Sequence, residues 1–113
     1  MMSSNQSWID RDLAVLWHPC TQMKEHETLP PIPVARGEGS WLYDFDGRRY
    51  LDVISSWWVN LFGHANPVIN ARLKAQLDQL EHVILAGFSH QPVVELSERL
   101  VQLTPPGLER VFF

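Results

Sequence analysis

The sequence predicts an α+β order: an N-terminal loop segment, a β-hairpin, two amphipathic helices and a final strand. Three observations carry it. Two alternating runs flank the turn dipeptide Asp46-Gly47, the pattern of a hairpin. Apolar residues recur at helical spacing from Ile69 to Ile84 and again from Val93 to Leu103. A β-prone apolar run, Leu108 to Phe113, follows the helix-stopping Thr104-Pro105-Pro106-Gly107.

Each element follows from local chemistry. Asp10 to Leu16 predicts a short helical turn that Pro19 interrupts, because proline lacks the amide donor and restrains the residue before it. The segment from His18 to Gly39, stiffened by Pro30, Pro31 and Pro33, predicts extended or looped chain. In the hairpin, Trp41 and Tyr43 share one face of the first strand, and Arg48 to Val53 form the second. Asp44 and Asp46 lack the carboxylate series and closing glutamate of a calcium loop, so the turn reading stands over a metal-binding one. Asn66 caps and Pro67 opens a helix expected to reach about Leu85, with Ile69, Leu73, Leu77, Leu80 and Ile84 on one face. Gly87 breaks it. Ser89 or His90 then caps a second helix that is expected to turn Val93, Leu96, Leu100 and Leu103 inward. The expected division is 1–65, the N-terminal segment and hairpin, and 66–113, the helices and strand. The abrupt apolar close at Phe113 leads us to expect a piece of a longer chain.

Composition narrows the function classes. The single cysteine, Cys20, excludes an internal disulfide, and no Cys/His cluster has zinc spacing. A net charge of -4, with 9 Lys+Arg spread along the chain, argues against a nucleic-acid or anionic-membrane surface. No apolar run approaches the roughly 18 residues of a membrane span, and no signal-peptide pattern opens the chain, which predicts a cytoplasmic protein.

No catalytic set is complete: there is no phosphate-binding glycine loop, nucleophile elbow or HExxH. His18 and Cys20, two apart, could form a nucleophile pair or two metal ligands, but spacing alone does not place them together. His64, just before a helix, could be a general base and is expected instead to meet a backbone group. The carboxylates of Asp78, Glu81, Glu95 and Glu98 fall on outward helix faces, the ordinary solvated pattern. Trp57 and Trp58 are different. In extended chain their side chains would point opposite ways, so one could pack while the other faces a cavity, where an indole binds apolar or cationic groups. Core packing of both rings is the competing reading, and composition favours it.

The ordered runs WHPCTQM (17–23), GEGSWLYDFDGRRYLD (37–52), SSWWVNLFGHANP (55–67) and FSHQPVVELSERLVQLTPPGLERVFF (88–113) resemble the N-terminal part of a class III, fold-type I pyridoxal-phosphate aminotransferase. The GxGxxLxDxDGRxYLD and GHxNPxI patterns carry the superfamily. The WHP run and the doubled tryptophan after two serines resemble members that take S-adenosylmethionine as amino donor and 8-amino-7-oxononanoate as acceptor.

The resemblance implies an α/β parent of several-fold greater length, with residues 1–65 in a small domain and 66–113 leading into a large cofactor-binding domain. It implies a homodimer, and pyridoxal 5'-phosphate held by a phosphate-binding turn and a Schiff-base lysine beyond Phe113. Lys24 and Lys74 match neither the context nor the order of that lysine, so no catalytic or cofactor-binding residue is expected in this chain. Trp57 falls on the substrate-pocket wall, with Trp58 beside it. Cys20 falls where some members carry a substrate-recognising tyrosine; a thiol lacks that phenol's reach and hydrogen bond, so Cys20 is expected to pack quietly while another group serves. Two further readings stay open: a class III enzyme for another amine or omega-amino acid, and a small non-catalytic binding module that presents the Trp57 and Trp58 surface.

Overall fold

Residues 4–113 are described by a computed structural model. The chain divides into two units, Met1–Ala71 and Arg72–Phe113. The elements in order are helix α1 (Ser4–Val15), a 3-10 turn (Met23–Glu27), strands β1 (Val34–Glu38), β2 (Trp41–Asp44) and β3 (Arg49–Leu51), the short turn α2 (Ser55–Trp58), and helices α3 (Pro67–Leu77) and α4 (Gln91–Leu103).

In the first unit the hairpin forms as expected, with Leu42 opposite Tyr50 and Tyr43 opposite Arg49. The sheet has a third strand that the sequence reading left as loop. β1 pairs antiparallel with β2, Glu38 facing Trp41 and Arg36 facing Tyr43, with a register shift between Val34 and Arg36. That strand is almost wholly exposed and interrupted by the shift, so it lacks the alternation that marks a half-buried strand. Arg36 lies 3.5 Å above the Tyr43 ring and Arg49 4.5 Å above the Trp41 ring, stacking guanidinium on indole and phenol across the ladder.

Asp44 is the hinge of the hairpin turn and one of two buried residues among those described; the other is Asn5. Its Oδ1 accepts from the amides of Asp46 and Arg48, at 3.0 and 2.8 Å. Its Oδ2 accepts from Asn5 Nδ2 and the Tyr50 hydroxyl, both at 2.9 Å. Burial opposes ionisation of Asp44, but the bonds from Asn5, Tyr50, Arg48 and Asp46 outweigh it and hold the carboxyl below its usual range. The same pairing, followed by burial, pushes the Tyr50 phenol up. Asn5 thereby ties α1 to the turn, and Trp8 stacks on Phe45 at 4.9 Å to reinforce it. This tertiary anchor explains why α1 already includes Asn5, ahead of the start expected at Asp10. The turn reading of Asp44 and Asp46 holds, and no group of three potential metal ligands occurs among the described residues.

Helix α3 opens as read: Asn66 Oδ1 accepts from the amides of Val68 and Ile69. It ends at Leu77, eight residues short of expectation. Gln76 turns back on the chain, its carbonyl accepting from Gln79 and Leu80 and its Nε2 donating to the Leu80 carbonyl. The β-branched pair Val83-Ile84 beyond it does little to sustain a helix. Leu80 and Ile84 therefore lie outside the helix, and Ile69, Leu73 and Leu77 are exposed along it.

In the second unit α4 starts after His90, which occupies the cap position without a side-chain cap bond. Thr104 closes it, its Oγ1 donating to the Val101 carbonyl. Of the four residues expected inward, Val93 and Leu100 are half-buried while Leu96 and Leu103 are exposed. Leu108–Phe113 forms no strand, because extended chain becomes a strand only with a ladder partner and none is paired with it. The carboxylates of Asp78, Glu81, Glu95 and Glu98 are exposed, Glu95 and Glu98 on α4 as read, whereas Asp78 and Glu81 fall beyond the end of α3 and on no helix. Among the described residues no apolar side chain is buried, and no helix is long and apolar enough to cross a membrane.

Candidate functional site

The site begins at the end of β3. Asp52 follows that strand directly, and its amide donates to the Ser40 carbonyl at 2.9 Å, which fixes its backbone to the β1–β2 connection. Its carboxylate then reaches forward. Oδ1 accepts from the Ser56 amide at 2.9 Å, and Oδ2 accepts from the Ser56 hydroxyl at 2.7 Å. Oδ2 also meets His64 Nε2 at 2.8 Å; since a carboxylate only accepts, that nitrogen carries the proton. The amide and hydroxyl of Ser56 draw the Asp52 carboxyl down to about 2 against the opposing effect of burial, with the His64 contact adding to them.

His64 is held on its other sides too. Its amide donates to the Gly39 carbonyl at 2.7 Å and its carbonyl accepts from the Gly39 amide at 3.0 Å. Its ring lies against Gly37, where an added Cβ would stand 2.7 Å from His64 Cβ. The expectation that the His64 side chain meets a backbone group is corrected: its ring meets the Asp52 carboxylate, and only its main chain bonds to Gly39.

The segment that Asp52 holds is not extended. Ser55, Ser56, Trp57 and Trp58 have φ of 50, 48, 69 and 65°, four consecutive non-glycine residues in the left-handed region. Each such residue costs roughly 1–2 kcal/mol of local strain, so the turn persists only where its surroundings enforce it. The Trp58 amide donates to Ile54 at 2.7 Å and the Val59 amide to Ser55 at 3.0 Å, closing the turn on itself. The expectation that adjacent tryptophans point to opposite faces of extended chain is thus corrected: in the left-handed turn the two rings neighbour each other, with centroids 6.5 Å apart and planes tilted by 55°. Core packing of both is also corrected, since Trp57 is 61% and Trp58 78% exposed.

Cys20 lies elsewhere. It is exposed at φ 57°, in a shallow concavity with Trp17, His18 and Glu25 that includes neither Trp57 nor Trp58, so it does not pack quietly among the described residues. His18 pairs with Asp12 and sits edge-on to His26, so His18 and Cys20 form no nucleophile pair. Sequence reasoning missed Asp52 and Ser56. The available signal was the Asp-x-x-Ser-Ser order after a strand, an acidic residue positioned to accept amides of the turn that follows.

Residues 21–113 match the Aminotransferase class-III family, and the chain belongs to that family. Among its relatives, the adenosylmethionine-8-amino-7-oxononanoate aminotransferase of Helicobacter pylori is 59% identical over 82% of this chain and 21% of its own length. The enzyme of the same name from Geobacter sulfurreducens is 46% identical over 96% of this chain and 24% of its own. The crystal structure of that enzyme from Methanocaldococcus jannaschii superposes with a TM-score of 0.85 at 39% identity, over 93% of this chain and 24% of its own. An omega transaminase of Pseudomonas jessenii, solved in complex with PMP, superposes at 0.78 with 28% identity, over 86% of this chain and 22% of its own. The chain spans about a fifth to a quarter of the length of the relatives it matches.

The described residues do not form a holder for a pyridoxal cofactor. Lys24 and Lys74 are both exposed, whereas a lysine that reacts with a carbonyl cofactor needs a desolvated or cationic setting. The first amides of α3 are already taken by Asn66, and Pro92 removes one from the first turn of α4.

Proposed function

We propose that the chain is the N-terminal part of a pyridoxal 5'-phosphate-dependent aminotransferase that moves the amino group of S-adenosylmethionine to 8-amino-7-oxononanoate, giving 7,8-diaminononanoate for biotin. The observation that carries this reading is the 59% identity to a relative bearing that name. In it, residues 1–65 belong to a small domain and 66–113 lead into the large domain of a cytoplasmic homodimer, and the cofactor is held by residues outside this chain. Trp57 forms one wall of the substrate pocket, with Trp58 beside it. Both substrates suit an indole: a sulfonium cation is attracted to its face, and an apolar chain packs on it. Cys20 takes the position at which some members carry a substrate-recognising tyrosine, and another group supplies the hydrogen bond that a phenol would give.

The test is conversion of 8-amino-7-oxononanoate to the diamine by the full reading frame with pyridoxal phosphate, followed by mass spectrometry. Product that depends on S-adenosylmethionine is expected; product formed equally well from other amines would move the assignment to them. That second reading has its own support, since an omega-transaminase from Thermomicrobium roseum superposes with a TM-score of 0.85 at 28% identity, over 97% of this chain.

A further inference from the structure

We propose that Asp52 is a positioning residue: by holding both polar groups of Ser56 it fixes the left-handed Ser55–Trp58 turn and so sets how Trp57 meets substrate. The inference rests on the substrate-wall reading of Trp57 above and adds to it the group that makes the wall rigid.

Four observations carry it. The turn places four consecutive non-glycine residues at positive φ, a conformation the local sequence does not favour. Asp52 supplies the external restraint at the strained centre, taking the Ser56 amide with one oxygen and the Ser56 hydroxyl with the other. Asp52 is itself anchored, through its amide to Ser40 and through Oδ2 to a His64 whose backbone is bonded twice to Gly39. Its side chain is only 6% exposed and that of His64 15%, whereas Trp57 is 61% exposed. The largely covered carboxylate therefore acts through the turn it holds and does not itself meet substrate.

The cluster is not a nucleophile relay. Ser56 Oγ donates to Asp52, not to His64, and His64 Nε2 is engaged by the same carboxylate. No imidazole nitrogen is thus placed to take the hydroxyl proton, which a serine nucleophile would need. What remains is a mechanical line from the sheet through Asp52 and Ser56 to the indole. Misplacing a substrate-orienting group by about 1 Å is enough to lower turnover or affinity.

The test uses the full-length holoenzyme and the variants Asp52→Asn, Ser56→Ala, Trp57→Ala and the double variant Asp52→Asn/Trp57→Ala. Asp52→Asn keeps the shape but replaces one accepting oxygen with a donor. It is expected to raise KM for both substrates about tenfold while kcat stays within about threefold, the mark of lost uniform binding. In the double variant it is expected to add nothing to the effect of Trp57→Ala, because the wall it positions is gone. Effects that multiply instead would overturn the proposal.

A second readout does not depend on activity. With fluorotryptophan incorporated, the fluorine signals of Trp57 and Trp58 should move in Asp52→Asn while those of Trp8 and Trp41, which report the helix–turn stack and the sheet, stay in place. Unmoved Trp57 and Trp58 signals would also overturn it. If the wild type ignores S-adenosylmethionine, the substrate reading fails separately and the fluorine spectrum still decides on Asp52. If Asp52→Asn does not fold, Ser56→Ala, which removes only the hydroxyl bond, is held to the same two criteria.

Discussion

Asp52 and Asp44 each accept several hydrogen bonds within the first unit, yet they differ in what a change of pH should do to function. Asp44 joins α1 to the hairpin, whereas Asp52 accepts from Ser56 within the turn that carries Trp57 and Trp58. The Asp52 carboxyl titrates at about 2 in the folded chain, below the roughly 3.9 of an unfolded aspartate. A group with a depressed folded pKa contributes its stability in full above the unfolded value and loses it as pH falls through the folded one. The Ser55–Trp58 turn should therefore be unchanged down to about pH 4 and be released progressively as pH falls towards about 2. An NMR titration of the Ser56 amide measures this directly: a midpoint near 2 is expected, and one near 4 would show that Ser56 does not favour the ionised form. Trp57 was legible in the sequence as a residue of interest because an indole has few substitutes for binding an apolar or cationic group. Its conformation was not legible, since no propensity signals four left-handed residues in a row and the Asp52 carboxylate that holds Ser56 is itself anchored by His64, twelve positions further on.

At the scale of elements, legibility followed the range of the interactions that make each one. The hairpin was readable because Asp46-Gly47 encodes its turn locally, with Gly47 at φ 85°. The start of α3 was readable for the same reason, and the cap can be tested: Asn66→Ala should cost about 1 kcal/mol and speed amide exchange at Val68 and Ile69 first. The end of α3 was not readable, because the chain offers no glycine or proline there and a Gln76 side chain supplies the stop. β1 and the expected last strand failed in opposite directions, one paired without a pattern and the other patterned without a partner. The packing between elements makes a sharper prediction at Gly37. A methyl group there would stand 2.7 Å from both Cβ and Cγ of His64, neither of which is the free end of a flexible chain. Gly37→Ala should destabilise the first unit by about 1–3 kcal/mol, as overpacking does, and thermal unfolding followed by tryptophan fluorescence would register it. Unchanged stability would mean that the GH turn can back away from β1, and the clamp on Asp52 would then be looser than its hydrogen bonds indicate.

The distribution of apolar surface bears on the whole molecule. Folded chains ordinarily place their Leu, Ile, Val, Phe and Trp side chains inside, and burial of that surface is the main favourable contribution to stability. Here Ile69, Leu73 and Leu77 of α3 and Leu96 and Leu103 of α4 are exposed, as are Phe112 and Phe113. The buried side chains among those described are polar, Asn5 and Asp44. Hydrogen bonds of that kind contribute modestly in net terms and cannot offset the conformational entropy of an ordered chain by themselves. A self-sufficient binding module would need the opposite arrangement, an apolar interior with the tryptophan pair as its one conspicuous apolar patch. The 113-residue chain alone should therefore associate: its sedimentation coefficient is expected to rise with concentration, and its unfolding to lack a sharp cooperative transition. A monomer at all concentrations that unfolds in one cooperative step would show that these faces pack in solution, and would return the small-module reading to contention. Association of the fragment together with a discrete, cooperatively folding full-length protein would instead place the cover for α3 and α4 in the remaining three quarters or more of the length seen in the relatives.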